Sequence, residues 1–169
     1  MSNRAETGTQ PDRVVNIVVA GLGGQGVLKA SDIIAGAAFL AGRDVKKSEV
    51  HGMSQRGGSV ASDVRFGPRV FSPMVTAGEA DFLLVLDATQ IDVNRGVLAP
   101  AGVLIEPGIL GGRTLRSAKS LNVALVGALS RHLDFSEELW LEALRNSLAP
   151  KILDLNLQAF AIGREATSP

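Results

Sequence analysis

Val14-Val15-Asn16-Ile17-Val18-Val19-Ala20 runs directly into Gly21-Leu22-Gly23-Gly24-Gln25-Gly26. A nearly continuous β-branched run suits a strand buried on both faces of a parallel sheet. The six residues after it match G-x-G-x-x-G. From about Gln25 to Ala41, apolar Val27, Ala30, Ile34, Ala37 and Ala41 recur at spacings of three and four. That is one apolar stripe of a helix, with Gly42 placed to end it. Strand, glycine turn and helix in this order open an α/β fold.

Outward from there the pattern repeats. Val45–Val50 reads as a second, less apolar strand. Ser59–Phe66 alternates, with Val60, Val64 and Phe66 on one face and Asp63 and Arg65 on the other. Gly67-Pro68 is a turn, and Val70-Phe71 is expected to return as a hairpin arm. Phe82–Leu86 is a buried strand, Thr89–Leu98 a short helix, and Val103–Ile105 a short strand. Helical patterns cover Leu121–Leu133, Glu137–Leu148 and, after an interruption at Pro150, Ile152–Ile162. The expectation is a Rossmann-like, mostly parallel sheet with helices on both faces and an antiparallel flank or hairpin near 59–71. One α/β domain is expected over 14–163, with a flexible N-terminus over 1–13 and a loose tail over 164–169.

Composition excludes several function classes. The 169 residues carry 17 Lys+Arg against 17 Asp+Glu. A net charge of zero gives no bulk attraction to nucleic acid or a membrane surface. With no Cys, the chain offers no disulfide, no thiolate-held zinc or iron–sulfur cluster and no thiolate nucleophile. No metal site is expected. No pair of carboxylates and no Ser/His/Asp trio emerges from spacing, so hydrolase chemistry has no support. No run approaches the roughly 18 apolar residues of a membrane helix. The polar start MSNRAETGTQPD lacks the apolar centre of a secretory signal, and a cytoplasmic protein is expected.

Two glycine-rich segments are the candidate sites. Gly21, Gly23, Gly24, Gln25 and Gly26 would bring backbone N–H groups to a phosphate at a helix N-terminus. They would equally let the helix pack close to the sheet, and both readings stay open. A dinucleotide loop expects an acidic residue about 20 positions on for the ribose. Lys46 and Lys47 stand there, and Glu49 comes late, so NAD is disfavoured. The lysines suit a 2′-phosphate, the 3′-phosphate of coenzyme A, or equally a solvated strand edge. The second segment is Ser48-Glu49-Val50-His51-Gly52-Met53-Ser54-Gln55-Arg56-Gly57-Gly58. Arg56 can hold a carboxylate or phosphate in two-pronged fashion, and His51 can move a proton near neutral pH. The same types also make a structural loop, with Glu49 paired to Arg56. No catalytic residue is certain; His51 and Arg56 are the candidates. Asp87 reads as a helix cap in D-x-x-Q, Glu106 as a turn residue and Trp140 as core or interface. Gly111-Gly112-Arg113 with Arg116 reads as a solvated loop.

GLGGQG followed by SEVHGMSQRGGSV and a strand resembles the gamma subunit of 2-oxoacid:ferredoxin oxidoreductases. Leu121–Ala128 is similar to that family's later Asn-containing helix. The resemblance spans about residues 14–148, and the wording of the second loop is nearest to members acting on aryl 2-oxo acids such as indolepyruvate and phenylglyoxylate. It implies a complex of anaerobic metabolism that decarboxylates a 2-oxo acid on thiamine diphosphate, passes electrons through [4Fe-4S] clusters and forms an acyl-CoA. Thiamine diphosphate-binding alpha and beta subunits and a ferredoxin-like cluster subunit would be the partners. Ferredoxin or a flavin/NAD-reactive subunit would be the acceptor. Coenzyme A would meet this chain at its surface. The cofactor-binding candidates are then Gly21, Gly23, Gly24, Gln25, Gly26, Ser48, Glu49, Arg56, Gly57 and Gly58. A stand-alone nucleotide- or coenzyme A-binding module is the rival reading.

Overall fold

The computed structural model describes residues 12–52 and 57–167. The decisive strand is β1 (Val15–Leu22). Its odd residues Val15, Ile17 and Val19 enter the main core, while Val18 and Ala20 enter a smaller cluster on the opposite face. Burial on both faces explains why the run is unbroken rather than alternating. Each such Val or Ile contributes roughly 1.5–3 kcal/mol of apolar burial.

Helix α1 (Val27–Leu40) follows, and then β2 (Asp44–His51) and β3 (Ser59–Gly67). The α1 end is closed by Gly42 at φ +79°, whose N–H reaches the Phe39 carbonyl at 2.9 Å. β4 (Ala80–Val85), the one-turn α2 (Ile91–Asn94) and β5 (Leu98–Ile105) complete the sheet. The sheet order is β2-β3-β1-β4-β5. β1, β4 and β5 form a parallel core, and β3 runs antiparallel to both β1 and β2.

The antiparallel element near 59–71 is therefore present, but its partner differs from the expected arm at Val70-Phe71. β3 returns from the 52–58 loop and inserts between β2 and β1. Residues 68–79 instead leave the sheet. The Val70 N–H is taken by Asp44 Oδ2 at 2.7 Å and the Val75 N–H by Asp63 Oδ2 at 2.8 Å. These two carboxylates carry the segment onto the smaller face, where Val75 packs. Burial pushes the Asp63 carboxyl up; the Val75 N–H and Arg65 pull it back.

The long helices α1, α3 (Leu121–Ser130), α4 (Glu137–Ser147) and α5 (Pro150–Ala166) all contribute to the main core. The other face is covered by α2, its flanking 3-10 turns and the 68–79 segment. The helical covering is thus uneven, because only the main face has apolar stripes long enough to seat whole helices. Trp140, Phe160, Ile33 and Leu125 are fully buried there.

Pro150 begins α5 rather than interrupting it, as a residue without N–H is suited to do at the first helical position. α5 also runs past Gly163 to Ala166, into the region expected to be a loose tail. Arg164 anchors it, donating to Ser130 Oγ at 2.8 Å and approaching Glu137 at 3.8 Å. At the other terminus, residues 1–11 lie outside the described residues, and Arg13 pairs with Asp81 at 2.9 Å. Among the described residues no helix is long and apolar enough to cross a membrane.

Candidate functional site

The two glycine-rich segments meet at the C-terminal end of β1. The Gly23 N–H donates to the Gly58 carbonyl at 2.8 Å. A Cβ on Gly23 would lie 3.3 Å from the Gly57 nitrogen, so the close approach depends on the missing side chain. Gly57 takes φ +64°. The 52–58 loop is closed at its base by the Gly52 N–H on the Ser59 carbonyl at 2.7 Å.

α1 starts here without a side-chain cap, at Gly26 in the left-handed region (φ +86°). The first intrahelical bond is from Ala30 N–H to the Gly26 carbonyl. The amides of Val27, Leu28 and Lys29 thus lead the helix with no intrahelical acceptor, an end that favours anions. An open cleft of about 370 Å³ lies against this turn, lined by Gly23, Gly24, Leu28, Lys29, His51 and Val60. Its open mouth and leading amides fit a phosphate-bearing ligand.

Alternation along β2 decides which strand residues reach that cleft. Lys47, Glu49 and His51 share the α1 side, and Ser48 is on the opposite one. Ser48 is therefore not brought to the cleft. Lys47 forms an ion pair with Asp32 of α1 and lies 3.7 Å from Glu49. Glu49 also approaches His51 Nε2 at 3.9 Å. Lys47, one of the two lysines expected to face a phosphate or solvent, is thus held by carboxylates. Lys29 Nζ turns away to the Ser147 carbonyl at the end of α4, 2.9 Å off. Arg56 lies outside the described residues, and so does its expected pairing with Glu49.

Gln25 is a strut. Its Oε1 accepts from the Leu22 N–H at 2.7 Å, and its Nε2 donates to Asp87 Oδ2 at 2.9 Å. Asp87 Oδ1 accepts from the Thr89 N–H at 3.0 Å and the Thr89 hydroxyl at 2.6 Å. The Thr89 and Gln25 donors hold this carboxyl below the usual carboxylate range. Asp87 is the cap expected from D-x-x-Q, though Gln90 does not reciprocate; it is buried, and its Oε1 has no hydrogen-bond partner among the described residues. The Gln25–Asp87 bridge spans the crevice between β1 and β4, where a dinucleotide pyrophosphate would sit in a doubly wound sheet. A fixed carboxylate beside it repels that group, which agrees with the missing acidic ribose ligand.

Asn122, at the start of α3, donates through Nδ2 to the Gly26 carbonyl at 3.2 Å. It is 6 % exposed, and a Cβ on Gly26 would collide with its amide. Sequence reading noted the asparagine helix without linking it to Gly26; one buried amide in the apolar run LNVALVGAL was the available signal. The remaining candidates behave structurally. Glu106 caps a turn through the Gly108 N–H at 2.9 Å, Trp140 is core, and Arg113 and Arg116 reach α5 at Glu165 and Gln158.

Known proteins agree with this architecture. Residues 16–107 match the family model for pyruvate ferredoxin/flavodoxin oxidoreductase. The indolepyruvate oxidoreductase subunit IorB of Thermococcus kodakarensis is 34 % identical over 191 residues, covering 89 % of this chain and 95 % of that one. The subunit of the same name from Archaeoglobus fulgidus is 34 % identical over 188 residues, covering 88 % and 93 %. Two solved structures show the same fold. A keto/oxoacid ferredoxin oxidoreductase gamma subunit from Geobacter sulfurreducens superposes with a TM-score of 0.73 at 24 % identity, covering 90 % of this chain and 97 % of that one. The 2-oxoglutarate:ferredoxin oxidoreductase of Magnetococcus marinus, with 2-oxoglutarate, coenzyme A and succinyl-CoA bound, gives 0.78 at 22 % identity. That match covers 92 % of this chain and 31 % of the longer polypeptide.

Proposed function

The chain belongs to the pyruvate ferredoxin/flavodoxin oxidoreductase family as a gamma-type subunit of a multi-subunit 2-oxoacid:ferredoxin oxidoreductase, and from that premise we propose that its complex oxidises an aromatic 2-oxo acid to the acyl-CoA in the cytoplasm. In this reading the chain docks on the thiamine diphosphate-binding subunits through the end of the sheet that carries the two glycine loops. There it helps hold coenzyme A. Partner subunits carry the thiamine diphosphate and the iron–sulfur clusters; ferredoxin or a flavin/NAD-reactive subunit takes the electrons. The similarity to two indolepyruvate oxidoreductase subunits over nearly the whole chain supports an aryl substrate.

The observation that carries the site is the Gly23–Gly58 hydrogen bond. It ties Gly58, just ahead of β3, to the turn before α1, where His51 and the uncapped end of α1 line one open cleft. Coenzyme A supplies the thiol that takes up the acyl group. This chain's part is binding and orientation: the leading amides of α1 receive phosphate, and His51 and Arg56 help bind it. Steady-state kinetics of the assembled complex test this. His51→Ala and Arg56→Ala should each raise the KM for coenzyme A at least about fivefold, roughly 1 kcal/mol, with subunit content and 2-oxo acid KM unchanged. An unchanged coenzyme A KM in both variants, with intact assembly, would reject the role.

A further inference from the structure

At the far end of the sheet from the glycine loops lies a more enclosed cavity of about 150 Å³. It opens among the start of β1 (Arg13, Val15), the end of β3 (Phe66, Gly67), Phe82 of β4, Arg43 between α1 and β2, and the turn His132–Phe135 between α3 and α4. β1 is eight residues long, so the two ends stand roughly 25 Å apart at the usual strand rise. This cavity is independent of the coenzyme A reading.

Its walls are aromatic. The Phe66 and Phe135 rings are 5.4 Å apart and tilted by 46°, and the His132 ring lies 5.6 Å from Phe82. A cavity of this size has room for one benzene-sized ring. Its charged groups are unequal in what they have left to offer. Arg13 is engaged by Asp81, which raises its pKa through hydrogen bonding and charge. Arg43 Nε is buried and has no hydrogen-bond acceptor among the described residues. Asp134 also lines the cavity, yet among the described residues no ion pair joins it to Arg43. Arg43 makes no side-chain hydrogen bond or ion pair among the described residues, and the group that best meets a free guanidinium fork is a carboxylate.

We propose that this cavity is a second ligand site, for a small monocarboxylate bearing a single aromatic ring. The ring stacks among Phe66, Phe82 and Phe135, and the carboxylate accepts from Arg43. An inorganic anion leaves the aromatic wall unused, and a neutral aromatic leaves Arg43 unsatisfied.

The full chain contains its own reporter. Trp140 is the single tryptophan, and its ring lies 5.8 Å from Phe135 on the cavity wall. Phenylacetate titrated into the full chain should change Trp140 emission saturably, with calorimetry confirming one site. Phenylacetamide, its neutral analogue, should bind at least about tenfold more weakly, and inorganic phosphate should not compete. Arg43→Gln should weaken phenylacetate about tenfold, the scale of one lost charge-assisted bond. Arg43→Lys keeps the charge and removes the planar guanidinium fork; it should also weaken binding, and it serves if Arg43→Gln fails to fold. Absence of saturable binding, equal affinity for the neutral analogue, competition by phosphate, or undiminished binding in a folded Arg43 variant would each overturn the proposal.

Discussion

In the loop ahead of α1, Gly24 and Gly26 take φ of +87° and +86°, and a Cβ on Gly24 would meet nothing within 4 Å. Where α3 crosses α5, Gly127 and Gly163 have ordinary helical backbones, yet a Cβ on Gly127 would fall on the Phe160 carbonyl and one on Gly163 on the Ala124 carbonyl. One residue type thus serves two ends. At Gly24 it permits a backbone shape and leaves open space for something to approach. At the crossing it removes a side chain so that two helices can touch. Space around the glycine therefore separates Gly24 from the packing seam more surely than the residue type does.

The largest effect expected from breaking that contrast is at the seam. Gly163→Ala should destabilise the chain by about 3 kcal/mol, the upper range for overpacking. That lowers the melting temperature by roughly 6–12 °C for a chain of this size. Calorimetric melting checks it, and a change below about 1 °C would show that the helices separate freely. Next comes Gly26→Ala, strained in φ and in collision with Asn122. It should cost about 2 kcal/mol, and Asn122→Ala in the same chain should return part of that loss. Purely additive double-mutant energies would break the proposed contact. Gly24→Ala sharpens the comparison, since it meets no atom. It should cost only the backbone strain, about 1 kcal/mol, while still raising the coenzyme A KM of the assembled complex. The smallest effect is acidic. The native Asp87 carboxyl titrates below its unfolded value. Its contribution is present above about pH 4 and is lost as pH falls through the lower native value. Asp87→Asn should therefore flatten the acid limb of the stability curve; an unchanged limb would remove Asp87 from the account.

Legibility followed the same division. β1, its glycine turn and α1 were readable because a continuous β-branched run, G-x-G-x-x-G and a helical stripe agree locally. The insertion of β3 between β2 and β1 was not, because strand order is set by pairing across the chain and not by any local pattern. The hairpin was expected one segment too late for the same reason: Asp44 and Asp63 draw residues 70–75 away from the sheet through contacts distant in sequence. The extension of α5 past Gly163 was hidden because a glycine near a helix end reads as a stop, when here it is the contact with Ala124. At the site, the two glycine loops were found from residue types. Their joining at Gly23–Gly58, the Gln25–Asp87 strut and the Asn122 anchor lie beyond any local pattern, since each links residues between 35 and 96 positions apart.

The central claim is that the chain works within a larger assembly, presenting the glycine-loop end to coenzyme A during oxidation of an aromatic 2-oxo acid. Its most direct test is anaerobic purification of the native assembly through this chain. Subunit masses, iron, thiamine diphosphate and coenzyme A-dependent reduction of ferredoxin would be measured on the same preparation across a panel of 2-oxo acids. The account predicts large partners carrying iron and thiamine diphosphate, with indolepyruvate or phenylglyoxylate turned over in preference to pyruvate. A lone chain or homo-oligomer free of iron and thiamine diphosphate, or a complex that prefers pyruvate, would contradict it.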